Sequence, residues 1–165
     1  MTKIVLITDL DHTLIDSRAL DDLRRQKRWR DCVNLLDGAP PFANIVEATR
    51  RLRAGGAMIG VVTNSVSFYA ETALRVHAIE FDKLVAWHCT QRHKPFPDPI
   101  QLAFERLNVP QGTPSFGLGD SKDDLLAYKS MGLATLGAGW SPELVVDAGW
   151  DEILKDPLDL LRMID

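Results

Sequence analysis

Disulfides have little to build on in this chain, because Cys32 and Cys89 are its only cysteines in 165 residues. A disulfide framework is excluded, and two lone thiols suit a reducing, cytoplasmic compartment. Long apolar runs are missing too. The longest aliphatic stretch, Ile4-Val5-Leu6-Ile7, is far too short to cross a bilayer. No basic-then-apolar leader opens the sequence, so the expectation is a cytoplasmic protein with no membrane partner. Net charge is small: 19 basic against 23 acidic residues leave −4, and attraction to nucleic acid through bulk charge is not expected. Core-forming residues, by contrast, are plentiful. Leu, Ile, Val and Phe supply 48 of 165 residues, too many for a disordered chain and enough for one domain spanning 1–165.

Charge is unevenly spread. Arg18 to Arg30 holds six basic and two acidic residues, so an acidic body bears one basic segment. Such a segment can capture an anion, or it can be an ordinary solvated helix face, and both readings stay open here.

Short β-rich runs alternate with helical stripes. Lys3–Thr8, Ala57–Val62 and Ser115–Leu118 read as buried strands, with weaker candidates at Leu84–Trp87 and Leu133–Leu136. Ile100, Ala103, Phe104 and Leu107 fall on one helix face, as do Val66, Ala70, Ala73, Leu74 and His77. Gly55-Gly56 and Gly132 mark the ends of helices over 44–54 and 121–131. Continuous aliphatic strands interleaved with helices predict a three-layer, Rossmann-like α/β fold whose parallel sheet is covered on both faces. One stretch departs from the rhythm: about thirty residues separate the first strand from the helix near Asn44, where two to six are usual. Leu20 and Leu23 oppose Trp29, Cys32, Val33 and Leu36 on a helical wheel, which predicts two short helices with a bend. Residues 16–42 are thus expected to form a short helical cap insertion.

Ligands in open α/β sheets bind outside the carboxyl ends of the strands. Those ends carry Asp9-Leu10-Asp11-His12-Thr13, Thr63-Asn64-Ser65 and Gly119-Asp120-Ser121-Lys122-Asp123-Asp124, while Lys94-Pro95-Phe96-Pro97-Asp98-Pro99 precedes a helix. Three carboxylates meeting in one crevice repel one another unless a cation lies between them, and oxygen ligands with one lysine suit Mg²⁺.

These four segments, in this order, resemble the motifs of the haloacid dehalogenase superfamily of aspartate-dependent phosphohydrolases. The likeness runs from Lys3 to about Ala138, and the Lys-Pro-Phe-Pro-Asp-Pro form resembles the phosphoglycolate phosphatase subgroup. The resemblance implies that Asp9 is the nucleophile and Asp11 the general acid and base. It implies that Thr63, Asn64 and Lys94 bind the phosphoryl group. Asp9, Asp11 (through its backbone carbonyl) and Asp120 would hold Mg²⁺, and Asp124 would act from behind the metal or anchor Lys94. An acid two residues after the nucleophile is what phosphate transfer needs and dehalogenation does not. His12 departs from the pattern, standing where glycine is frequent, and histidine tolerates unusual backbone regions better than bulkier residues do.

Other polar residues have plainer explanations. Asp123 reads as a favourable first-turn charge, Ser65 as a helix N-cap, and His77 as a packed histidine. His88, Cys89 and His93 fit no common zinc spacing. Trp140 and Trp150 read as core or edge packing. The expected function is a Mg²⁺-dependent phosphatase acting through an aspartyl-phosphate on a small phosphorylated metabolite. A nucleic-acid 3′-phosphatase with an open site is the alternative, and a catalytically silent phosphate- or partner-binding module is the alternative of another class. Intact Asp9, Asp11, Lys94 and Asp120 argue against the last, because a binding module needs no proton donor.

Overall fold

The computed structural model describes residues 3–165. Six parallel strands form one sheet in the order β3-β2-β1-β4-β5-β6: β1 (Val5–Thr8), β2 (Met58–Val62), β3 (Lys83–Val85), β4 (Ser115–Gly119), β5 (Ala134–Ala138) and β6 (Glu152–Leu154). Every residue of central strand β1 is buried, which explains its unbroken aliphatic run. Its side chains divide by parity. Ile4 and Leu6 join Leu52, Leu160 and Leu161 on one face, and Val5 and Ile7 join Ile100, Ala103 and Tyr128 on the other. Helix α3 (Ile45–Ala54) and the 3₁₀ segment Pro157–Met163 therefore cover one side, while α5 (Asp98–Leu107) and α6 (Lys122–Ser130) cover the other. This is the three-layer arrangement that the alternation predicts.

The two weaker strand candidates differ from the sequence reading by two residues at their ends, and the other three by two residues or fewer at one end. The third strand ends at Val85, because Trp87–Cys89 turns as a 3₁₀ segment, and β5 runs two residues beyond Leu136. Strand β6 has no counterpart in the sequence reading. It is three residues long at the sheet edge with two of them exposed, so it lacks the apolar run that marks a buried strand.

Within residues 16–42, α1 (Asp21–Arg25) and α2 (Trp29–Asn34) are short and separated by a bend at which Lys27 takes a φ of 57°. The two helices match the opposed stripes. The insertion is rooted in the core rather than free-standing. Leu20, Cys32, Leu36 and Ala39 are buried with Leu10, Leu14, Tyr69, Ala70 and Leu74, the last three from α4 (Ser67–Val76).

Register then places the site. Thr8 pairs with Val61 of β2 and Leu118 of β4. The polar segments that follow these three strands thus leave the sheet side by side, and the Asp9 amide continues the ladder by donating to the Leu118 carbonyl at 3.0 Å.

Candidate active site

Lys94 is the hub. The residue is buried, and its ammonium donates to Asp9 Oδ1 at 3.0 Å, to Asp124 Oδ1 at 2.6 Å and to the Val62 carbonyl at 2.7 Å. All three of its donors are used. Burial works against the charged amine, but Asp124 and Asp9 outweigh it and hold Lys94 above the usual lysine range.

Asp124 is fixed by the start of α6. Its Oδ2 accepts from the Asp120 and Ser121 amides at 3.2 Å each, while the Ser121 hydroxyl accepts from the Asp124 amide at 3.1 Å. This reciprocal cap satisfies helix-end donors and aims the other Asp124 oxygen at Lys94. Gly119 makes the approach possible, since a Cβ there would lie 2.6 Å from the Asp124 side chain. Asp123, one residue earlier, lines the rim of the cleft without joining the carboxylate cluster.

Ligand oxygens of Asp9, Asp120 and Asp124 all lie within 4.8 Å of one another. Burial, then Asp124, raises the Asp9 carboxyl to about 6, although Lys94 pulls it down. Burial, then Asp9 and Asp124, raises Asp120 to about 9, against the opposing hydrogen bond from the Thr13 hydroxyl at 2.9 Å. Three carboxylates with one ammonium leave uncompensated negative charge at Asp9 and Asp120. An oxygen-only donor set of this kind fits a hard divalent cation.

Asp11 has other company. It lines the cleft with the other carboxylates, but donors hold its own. Ser65 and Tyr69 each donate a hydroxyl to it at 2.7 Å, and the Arg24 guanidinium lies 3.0 Å from Oδ2. Burial, then the Asp11 charge, pushes the Tyr69 phenol above its usual range, so it stays a donor. Ser65 is thus not the cap of α4; Val66 occupies that position, and the Ser65 side chain is spent on Asp11. Ser65 and Tyr69 are four residues apart, so both can reach the same carboxylate from the start of α4.

Thr63 and Asn64 line the same cleft of about 180 Å³ as Asp9, Asp11, Lys94, Asp120 and Asp124. The Thr63 hydroxyl accepts from the Ser65 amide at 3.0 Å, and the Asn64 side-chain amide donates to the Lys94 carbonyl at 3.1 Å. His12 adopts a left-handed φ of 63°, so the turn accepts a side chain where glycine is frequent. Its ring reaches Asp21 of α1 at 2.9 Å, and Asp21 in turn accepts from Arg24 at 3.0 Å.

The basic segment divides. Arg24 enters the cleft, whereas Arg18, Arg25 and Arg28 pair with their own neighbours Asp16, Asp22 and Asp31 on the surface. Neither reading of the segment covers it whole: Arg24 belongs to the site, and those three arginines form a solvated face. Tyr69 is a site residue that the sequence reading did not single out; Ser65 it took for a helix cap, and Arg24 it carried only as part of the basic segment.

The remaining candidates are structural. The His93 ring stacks on Trp87 with centroids 3.3 Å apart, and the only metal-capable cluster among the described residues is the carboxylate one. Trp140 donates to the Thr13 carbonyl at 2.8 Å, tying the first loop to the strand β5 side. No helix among the described residues is long and apolar enough to cross a membrane.

Comparison with known proteins agrees with this layout. A Caldanaerobacter subterraneus protein carrying the provisional name of the pyrophosphatase PpaX is 32% identical over 126 residues, 73% of this chain and 57% of its own length. The phosphoglycolate phosphatase of Escherichia coli K12 is 29% identical over 130 residues, 76% of this chain and 51% of its own. The chain therefore spans a little over half the length of these curated relatives. The crystal structure of CbbY from Rhodobacter sphaeroides in complex with phosphate superposes with a TM-score of 0.79 at 19% identity, covering 94% of this chain and 95% of that one, a likeness of fold. The family profile for haloacid dehalogenase-like hydrolases matches residues 22–138, and with that match the chain belongs to this family.

Proposed function

We propose that this protein is a Mg²⁺-dependent phosphatase that hydrolyses a phosphate monoester through an aspartyl-phosphate on Asp9. The observation that carries the reading is the three-way contact of Lys94, which brings residues after β1 and β4 to one ammonium beside the end of β2. In this scheme an Asp9 oxygen attacks phosphorus and an Asp9–O–P bond forms as the ester P–O bond breaks. Asp11 gives its proton to the departing oxygen. A water then attacks phosphorus, Asp11 takes the proton, and the Asp9–O–P bond breaks to release inorganic phosphate. Lys94 and the Thr63 hydroxyl stabilise the charge that gathers on the phosphoryl oxygens.

Asp9 and Asp120 would hold Mg²⁺ with Asp124 beside them, and the ion supplies positive charge that keeps the nucleophile ionised and screens the approaching phosphate. Burial and the neighbouring carboxylates raise the Asp9 carboxyl, and a cation beside it would offset that shift. Arg24 has a second part. It rests on Asp11, and its Nε is buried without a hydrogen-bond partner. A substrate phosphoryl group draws this guanidinium onto its own oxygens and frees Asp11 for proton transfer.

Two observations favour a small metabolite over a nucleic-acid end. Arg18, Arg25 and Arg28 of the basic segment lie outside the catalytic cleft, each beside its own aspartate. Residues 16–42 also carry Arg24 directly over the acid. The test is phosphate release in the presence of Mg²⁺ from a panel of small phosphate esters, set beside the Asp9→Asn variant. Release from none of them that depends on both Asp9 and Mg²⁺ refutes the reading.

A further inference from the structure

A second cavity opens beside the catalytic cleft. It measures about 760 Å³ against about 180 Å³ for the cleft, and the two share His12, Arg24 and Asn64 as walls. Its volume falls in the range that holds a drug-sized ligand, and a two-carbon acid would leave most of it unfilled. Its walls carry Trp29 from α2 and Trp87 from the turn after β3.

Trp87 is the informative residue. The residue is 40% exposed, an unusual state for so large an apolar side chain, and one face of its indole is covered by the parallel ring of His93 at 3.3 Å. His93 does not line the cavity, so the indole meets the cavity with surface that no protein group covers. Its backbone is independently held, the Trp87 amide donating to the Ser65 carbonyl at 3.0 Å. An aromatic ring fixed in place, backed by a second ring and open on one side, is a stacking platform. Trp29 is likewise supported, lying 5.5 Å from the Tyr69 ring that orients Asp11. A basic group stands at the rim: Lys27 lines the cavity and has no ion-pair partner among the described residues.

Resting on the phosphatase reading above, we infer that this cavity receives the leaving group, and that the substrate is a phosphate monoester whose leaving group carries a planar aromatic ring of nucleobase size stacked on Trp87. The phosphoryl group lies at Asp9, the ester linkage passes between His12, Arg24 and Asn64, and the ring reaches Trp87. A nucleoside monophosphate is the simplest compound of this shape.

The experiment compares kcat/KM for 5′-AMP, 5′-GMP, 2-phosphoglycolate, pyrophosphate and a 3′-phosphorylated oligonucleotide, using wild type, Asp9→Asn, Trp87→Ala and Trp87→Phe. The nucleotides are expected to exceed 2-phosphoglycolate and pyrophosphate by tenfold or more. In Trp87→Ala the ratio of kcat/KM for 5′-AMP to that for 2-phosphoglycolate falls by roughly tenfold or more, chiefly through KM, as loss of one stacking contact requires. Trp87→Phe restores most of it. An unchanged ratio in Trp87→Ala, or a preference for 2-phosphoglycolate, pyrophosphate or the oligonucleotide, overturns the inference while leaving the phosphatase intact. If nothing is turned over in an Asp9-dependent way, the phosphatase reading fails instead. Titration of Asp9→Asn with 5′-AMP and Mg²⁺, with and without Trp87→Ala, then decides the cavity: no Trp87-dependent binding overturns it, and binding weakened tenfold by the variant supports it.

Discussion

Removing divalent cations should make the stability of this protein fall as pH rises above about 4, which reverses the behaviour of a protein whose carboxylates are well paired. In the metal-free protein, burial and the neighbouring carboxylates raise Asp9 from 3.8 to about 6 and Asp120 to about 9. Below pH 4 both carboxyls are protonated whether the chain is folded or not, and neither costs anything. Between pH 4 and 6 the unfolded chain gives up the Asp9 proton while the folded chain keeps it. The folded state then binds more protons, so the free energy of unfolding declines with pH. Asp9 and Asp120 titrate as a coupled pair, and an upward shift of this size is worth on the order of 3 kcal/mol at 1.36 kcal/mol per unit. Asp120 extends the loss in the same direction toward pH 9. Asp16 and Asp151 are shifted downward by hydrogen bonds from Arg18 and from Thr135, so their contributions rise with pH and are complete near pH 4. They lie outside the window.

For a chain of 165 residues, about 3 kcal/mol corresponds to a fall in Tm of roughly 6–12 °C. The assay is thermal unfolding followed by circular dichroism from pH 4.5 to 8, in EDTA and in millimolar Mg²⁺. A cation takes the place of the retained protons, so the rise in Tm produced by Mg²⁺ should be small at pH 4.5 and grow steadily to pH 8. Asp120→Asn removes one charge of the pair and should flatten the EDTA curve. A metal-free Tm that stays level or increases across this range, or a Mg²⁺ shift independent of pH, refutes the account of the carboxylate cluster.

Three further outcomes follow from the same geometry. Lys94→Met leaves Asp9 and Asp124 buried without their cation and should cost about 3–5 kcal/mol of stability with phosphatase activity abolished, measured by urea unfolding and phosphate release. Arg24→Ala should lower kcat/KM by about a hundredfold, as loss of a charge-stabilising donor does, whereas Arg28→Ala, whose partner is the exposed Asp31, should stay within twofold in steady-state kinetics. Gly119→Ala places a methyl group 2.6 Å from the Asp124 side chain, and should weaken the Mg²⁺-induced rise in Tm because Asp124 and its hold on Lys94 are displaced.

The fold was legible in the sequence because its signals are local. A buried parallel strand must be apolar on both faces, and β1, β2 and β4 advertise this in Val5–Thr8, Met58–Val62 and Ser115–Gly119. Strand β6 escaped because an exposed edge strand of three residues carries no such signal. The candidate site was legible for a related reason. Asp9, Asp11, Thr63, Asp120 and Asp124 fall where strands end or helices begin, places that the parallel topology brings together, whereas Lys94 lies in the loop between β3 and α5 and was marked by its Lys-Pro-Phe-Pro-Asp-Pro run. Partners that come from elsewhere left no such trace. Tyr69 lies on an apolar helical stripe, and burial of its ring accounts fully for its position, so nothing in the pattern assigns its hydroxyl to Asp11. The basic segment is the sharpest case. Its arginines and lysine are alike as a sequence, and even on α1 the neighbours Arg24 and Arg25 carry the same charge one residue apart. A rotation of about 100° between adjacent helix positions separates them, sending one guanidinium to a buried carboxylate at 3.0 Å and the other to solvent beside Asp22. Composition could state that a charge was available; only the direction of the helix, set by burial of Leu20, Cys32 and Leu36, decides which charge reaches the acid.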